Sequence, residues 1–236
     1  MHWDGRAHWV FKYEDARSVL LGEEFGRSAS TFQEQYFESL GAGQPYEYVI
    51  KRMTYLDSGD HHRVRGLFAK TFTPKRIEAL RPFIAEMVDR LLEKASPGEK
   101  FDLLELVAHP VPSLVICELL GVPTEDRKLF DGWTQRIAHL VSPAITEEQY
   151  ADAADALADE WRLMEELITS RSNNLGDDLL SELILASRGD DAITHQELVS
   201  NCIFLFSAGH QTTRDTVGNG VLAMMREPSE LSLIHI

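Results

Sequence analysis

The stretch FLFSAGHQTTRDT, Phe204 to Thr216, starts strongly apolar and turns abruptly polar. Gly209, His210, Gln211, Thr212 and Thr213 stand together where a helix prefers Ala or Leu. The flanking sequence still demands a helix. Thr194-His195-Gln196-Glu197 is a capping box, and the next strong stop is Pro228. The implied helix has roughly thirty residues and is about 45–50 Å long at 1.5 Å per residue. Its first half is apolar nearly all round, which places it through the middle of the molecule. Gly209 costs about 1 kcal/mol against Ala in a helix interior. A buried Thr212 hydroxyl can bond back to the carbonyl of Ala208, four residues earlier, and bend the helix. Two readings follow. The polar centre is a pocket for a small polar guest such as water or dioxygen, with an interruption expected near Ala208–Thr212. Alternatively, the small residues let another helix approach closely.

Working outward, the chain is helical almost throughout. HWVFKY (His8–Tyr13) is aromatic and β-branched and reads as a short strand, with a helix over Asp15–Leu21 stopped at Gly22. Ser28–Ser58 is poorly patterned, as binding loops often are. From Asp60, Val64, Leu67, Phe68 and Phe72 fall on one helix face. Thr73-Pro74 is an N-cap followed by proline at the first helical position, and Pro82 starts another segment. Pro110 and Pro112 are expected to kink or break the apolar run Phe101–Pro123. Thr124 caps a further helix, Glu147–Arg171 is long and amphipathic, and DDLLSELILAS is shorter. The expected fold class is mainly α, with a long central helix and a small N-terminal strand element.

The chain has 236 residues, 44% hydrophobic and 26% charged, enough for a substantial core. Its net charge of −15, from 38 acidic and 23 basic residues, disfavours nucleic acid and anionic membrane as partners. No run approaches the ~18 apolar residues of a membrane span, and no secretory signal is visible, so a cytoplasmic protein is expected. The two cysteines, Cys117 and Cys202, lie in apolar helical patterns and read as small buried hydrophobes. No metal ligands are expected, because a hydrolase built on His61 and His62 lacks further partners at ligand spacing.

Ala208-Gly209-His210-Gln211-Thr212-Thr213 resembles the central-helix motif of the cytochrome P-450 monooxygenases, Ala/Gly-Gly-x-acid-Thr-Thr. DSGDHHRVRGLFAKTFTPKRI (Asp57–Ile77) is similar to the bacterial family's helix with a His-x-Arg-x-Arg run ending in Phe-Thr-Pro. PVPSLVICELLGVP (Pro110–Pro123) and DDLLSELI (Asp177–Ile184) are similar to two further bacterial patterns, and the four occur in family order. The resemblance covers roughly His8 to Glu230. It implies a truncated cytochrome P-450 fold over residues 1–230, with 231–236 a non-native tail.

By that resemblance His61 and Arg65, one turn apart on one helix face, hold a haem propionate. Thr212 is the oxygen-activating threonine, relaying protons with waters. Gln211 stands where the family has an acid; it can orient water but cannot ionise. Ala208 and Gly209 leave room for dioxygen, while Phe204 and Ser207 face an apolar small-molecule substrate. Substrate choice would also involve Ser28–Ser58 and His139–Ile145. The intact enzyme would carry haem b, bind O2 and take electrons from NAD(P)H through a ferredoxin or flavodoxin-type donor, with Arg63 and Lys70 as possible docking cations. The family's haem-ligating cysteine loop and Glu-x-x-Arg helix have no match, so the chain alone is expected to be inactive, with excess exposed apolar surface. The competing reading is a helical protein that binds a small molecule without redox chemistry.

Overall fold

The computed structural model describes residues 2–3, 5, 8–22, 24–26, 48–96, 98–141, 145–189 and 193–227. Most of Ser28–Ser58, part of His139–Ile145 and the tail 231–236 lie outside the described residues. The chain opens with a two-stranded antiparallel ribbon, β1 (His2–Trp3) and β2 (His8–Trp9), in which His2 faces Trp9 and Trp3 faces His8. The strand expected over His8–Tyr13 is therefore shorter. β1 offers only two residues to pair with, and Tyr13 already opens helix α1 (Tyr13–Leu21), whose first turn carries Glu14 and Asp15. Acidic side chains there suit the positive end of the helix dipole.

Helices α2 (Ser58–Thr71), α3 (Pro74–Ala79) and α4 (Arg81–Leu92) follow. Val64 and Phe68 of α2 are buried, and Leu67 and Phe72 pack half-buried against the same core, as the spacing predicts. The Thr73 hydroxyl accepts from the Arg76 amide, with Pro74 at the first helical position. The apolar run is divided where Pro110 and Pro112 stand, as the sequence suggests. They sit in the first turn of α5 (Pro110–Leu120), where a missing N–H costs nothing, and a π-helical turn (Leu104–Ala108) absorbs the misfit before them. Helix α5 ends at Gly121 with φ of +62°. That left-handed backbone calls for glycine.

Helices α6 (Arg127–Ile137), α7 (Glu147–Asn173) and α8 (Leu179–Ala186) pack around α9 (His195–Arg226). Thr124 opens a 3-10 turn that leads into α6 rather than capping it directly. The capping box of Thr194 with Glu197 forms as the sequence placed it, and a second one, Thr146 with Gln149, opens α7. Helix α9 is about 48 Å long at 1.5 Å per residue. Its first half is buried from Glu197 through Ile203, at Phe206 and at His210. Beyond it the helix emerges, with Leu222 at 45% and Met225 at 74% exposure. Leu103, Leu104, Val221, Leu222 and Met225 line an open groove of about 420 Å³ there.

Buried polar groups tie the segment before α2 to α9. The Met53 amide donates to Asn201 Oδ1 at 2.7 Å, Asn201 Nδ2 donates to the Lys51 carbonyl at 3.0 Å, and Ser200 donates to the Tyr48 carbonyl. On α7, Glu160 is fully buried and lacks a hydrogen-bond partner. Burial pushes its carboxyl up to about 8, and the charge of buried Arg52 only partly opposes this. The folded protein thus keeps a proton that the unfolded chain releases near the ordinary carboxyl value of 4.5. The Glu160 contribution is favourable below that pH and is lost as pH rises towards 8. Urea midpoints of the wild type should fall more between pH 5 and pH 8 than those of Glu160→Gln. An identical fall in both proteins would remove Glu160 as the cause.

Candidate functional site

The polar centre of α9 has two unlike sides. Gly209 meets α5: a Cβ added to it would lie 2.7 Å from Ile116 Cδ1 and 3.2 Å from Ile116 Cγ1. Its smallness therefore serves the close approach of α5, the second reading of the sequence. His210 points inward and is 1% exposed. Ala208, Thr212 and Thr213 are exposed, while Phe204, Ser207 and Gln211 are half-buried.

The Thr212 hydroxyl donates to the Ala208 carbonyl at 2.6 Å, as the sequence suggested, and Thr216 repeats the bond to the Thr212 carbonyl at 2.7 Å. The helix nevertheless runs without a break from His195 to Arg226, so the expected interruption is corrected. A carbonyl oxygen has two lone pairs. It can accept the hydroxyl while keeping its bond to the amide four residues on, and the added bond opens nothing. Ser207 makes a similar local bond to the Phe204 carbonyl at 3.1 Å.

The second cluster lies on α2. His61 is half-buried and Arg65 is exposed one turn on. Among the described residues Arg65 makes no hydrogen bond or ion pair, which leaves its guanidinium fork open. His62 is exposed, with its ring 5.6 Å from that of His61. Arg63 is committed elsewhere. It bridges Glu197 at 2.6 and 3.1 Å and Asp60 at 3.1 Å, joining α2 to the start of α9. The Glu197 bond raises the Arg63 pKa above its ordinary value. Burial pushes the Glu197 carboxyl up, but bonds from Arg63 and Thr194 outweigh it and hold the pKa below normal. Of the two docking cations named from sequence, only Lys70 is exposed.

Both cysteines are buried, and burial pushes each thiol up to about 12. Neither is a ready thiolate. Sequence reasoning missed a third group of residues: His109 just before α5, Asp131 on α6 and His210 on α9, whose ligand atoms all lie within 4.8 Å of one another. Burial lowers the His210 pKa, and the Asp131 carboxylate opposes the shift. A histidine in the apolar half of a buried helix was the available signal; nothing in the sequence named its partners.

The cytochrome P450 family model matches residues 6–232. The chain is 34% identical over 236 residues to the cytochrome P450 monooxygenase PikC of Streptomyces venezuelae, covering 98% of this chain and 54% of the relative. It is 35% identical over 233 residues to the vitamin D(3) 25-hydroxylase of Pseudonocardia autotrophica, covering 98% and 55%. Among solved structures it superimposes on epothilone D-bound cytochrome P450epoK with a TM-score of 0.87 at 26% identity, covering 100% of this chain and 60% of that one. It also superimposes on P450BioI in complex with hexadec-9Z-enoic acid ligated acyl carrier protein, with a TM-score of 0.83 at 26% identity, covering 94% and 56%. The chain spans about half the length of the curated relatives it matches.

The contact between Gly209 and Ile116 is open to a direct test. Gly209→Val should destabilise the chain by ~1–3 kcal/mol through overpacking. Adding Ile116→Ala should recover part of that loss, as urea unfolding would show. Strictly additive losses in the double variant would mean that the two residues do not share this space.

Proposed function

The chain belongs to the cytochrome P450 family, and on that premise we propose that it forms the oxygen-side wall of a haem-dependent monooxygenase acting on an apolar small molecule. The observation that carries the proposal is the two-sided centre of α9. Gly209 and His210 anchor it inward, while Ala208 and Thr212 turn a small side chain and a hydroxyl to the open side.

The residues present fit haem on one side only. Arg65 offers a free guanidinium fork and His61 an imidazole one turn away, a donor set suited to a carboxylate such as a propionate. The other requirement, a thiolate, is not met by Cys117 or Cys202, the only cysteines in the chain. That ligand has to come from outside these 236 residues, and this chain alone is inactive. When bound, haem b supplies dioxygen binding and its reductive activation.

The proton on Thr212 Oγ1 is committed to the Ala208 carbonyl, so the hydroxyl turns its lone pairs to the open side. Thr212 therefore orients a water by accepting from it, and Gln211 beside it holds that water without ionising. Phe204 and Ser207, earlier on the helix, bound the substrate region. Electrons from NAD(P)H arrive through a ferredoxin or flavodoxin-type donor. Among the described residues no helix is long and apolar enough to cross a membrane, in keeping with a cytoplasmic enzyme.

The test uses both the full gene product and this chain. The reduced carbon monoxide complex of the full product should show the red-shifted Soret band of a thiolate ligand; its absence would overturn the proposal. The 236-residue chain with added haem should not show that band. If it did, and Cys117→Ser or Cys202→Ser abolished it, the ligand assignment would be wrong. In the full product, Thr212→Ala should lower product formed per NAD(P)H consumed, with turnover by about 10²-fold as for a lost proton-relay group. Unchanged coupling would exclude Thr212 from that role.

A further inference from the structure

His109, Asp131 and His210 come from three separate elements and meet on the inner side of α9. His210 Nε2 lies 3.6 Å from Asp131 Oδ1, and His109 Nδ1 lies 3.9 Å from Asp131 Oδ2. The two imidazole rings stand edge to face with centroids 4.9 Å apart. These separations are too long for hydrogen bonds. Both ring nitrogens of His210 and Asp131 Oδ1 are buried without a hydrogen-bond partner. The His109 backbone is a weak polar neighbour of the His210 ring, short of a full bond. Each orphaned buried polar group costs roughly 1–3 kcal/mol. A leucine at position 210 would fill the space at no such cost, so the cluster calls for an occupant.

The separations are near what a cation would need. Ligands at 2.0–2.1 Å in a tetrahedral site stand about 3.3–3.4 Å apart. With one ligand atom from each residue the three lie within 4.8 Å of one another, so the side chains have to draw together on binding. Arg127 Nη1 holds Asp131 Oδ2 at 2.7 Å and donates to Ser113 Oγ at 3.1 Å. It fixes the carboxylate and leaves Oδ1 facing His210. Its positive charge also opposes a cation and tempers the affinity.

We propose that His109, Asp131 and His210 form a binding site for a divalent transition metal of the zinc class, distinct from any haem iron, with water completing the coordination. Two imidazoles and one carboxylate are a borderline-soft donor set that suits zinc, cobalt or nickel and not calcium or magnesium. The bound ion clamps the start of α5, α6 and α9 together directly behind Gln211 and Thr212. It stiffens the oxygen-side helix without touching its open face. The site rests on this chain's own side chains and stands whether or not the chain takes part in haem chemistry.

The test is titration of the chelator-treated 236-residue chain with Co²⁺, read by visible absorption, and with Zn²⁺, read by calorimetry and thermal unfolding. One equivalent should bind, with a tetrahedral cobalt spectrum and a zinc-dependent rise in Tm. His210→Gln and Asp131→Asn should bind at least tenfold more weakly. Because both positions are buried, His109→Gln at the half-buried edge is the deciding variant should either misfold by circular dichroism. His62→Gln and His195→Gln, on the surface, should bind like the wild type. The proposal is overturned if the wild type shows neither the spectrum nor the Tm rise. It is equally overturned if binding survives in folded His109→Gln, or is lost in His62→Gln or His195→Gln.

Discussion

The packing of α9 against α5, with Ile116 seated where a Cβ of Gly209 would stand, is the constraint on which the rest depends. It sets how near the two helices come. It also fixes the rotation of α9, so that His210 faces inward and Ala208 and Thr212 face out. With that rotation set, one apolar half-helix organises the core. Leu198, Val199, Cys202, Ile203 and Phe206 are buried among residues of α5, α6, α7 and α8. Asn201 and Ser200 then bind the backbone of residues 48–53, and Glu197 binds Arg63, so the same half-helix also locates α2.

The ends of α9 were legible because they rest on local chemistry. A threonine three residues before a glutamate can form a capping box within its own turn, and the Thr194–Glu197 box formed where the sequence placed it. The same holds for Thr73-Pro74 and for the core face of α2. The strand at His8 was read too long, because a strand's extent is set by its partner and β1 contributes only two residues. The interruption of α9 was expected on the view that a threonine back-bond displaces a backbone bond, whereas the Ala208 carbonyl serves both. His61, Arg65, Ala208 and Thr212 were named through family resemblance. The inner side was not, because His109, Asp131 and His210 converge only through tertiary packing.

The two sides of α9 differ in kind. One is held by close helix contact at Gly209 and a buried polar cluster at His210, and the other leaves Ala208 and Thr212 exposed.

The first half of α9 carries all of its fully buried side chains, and amide hydrogen exchange along that helix tests most directly whether that half anchors it. Exchange slows where opening requires unfolding of the core and is fast where a helix has little tertiary cover. Amides from Leu198 to His210 should be among the slowest in the molecule, with a clear step to faster exchange beyond Thr213. Uniform protection from Leu198 to Arg226, or faster exchange in the first half than in the second, would contradict it.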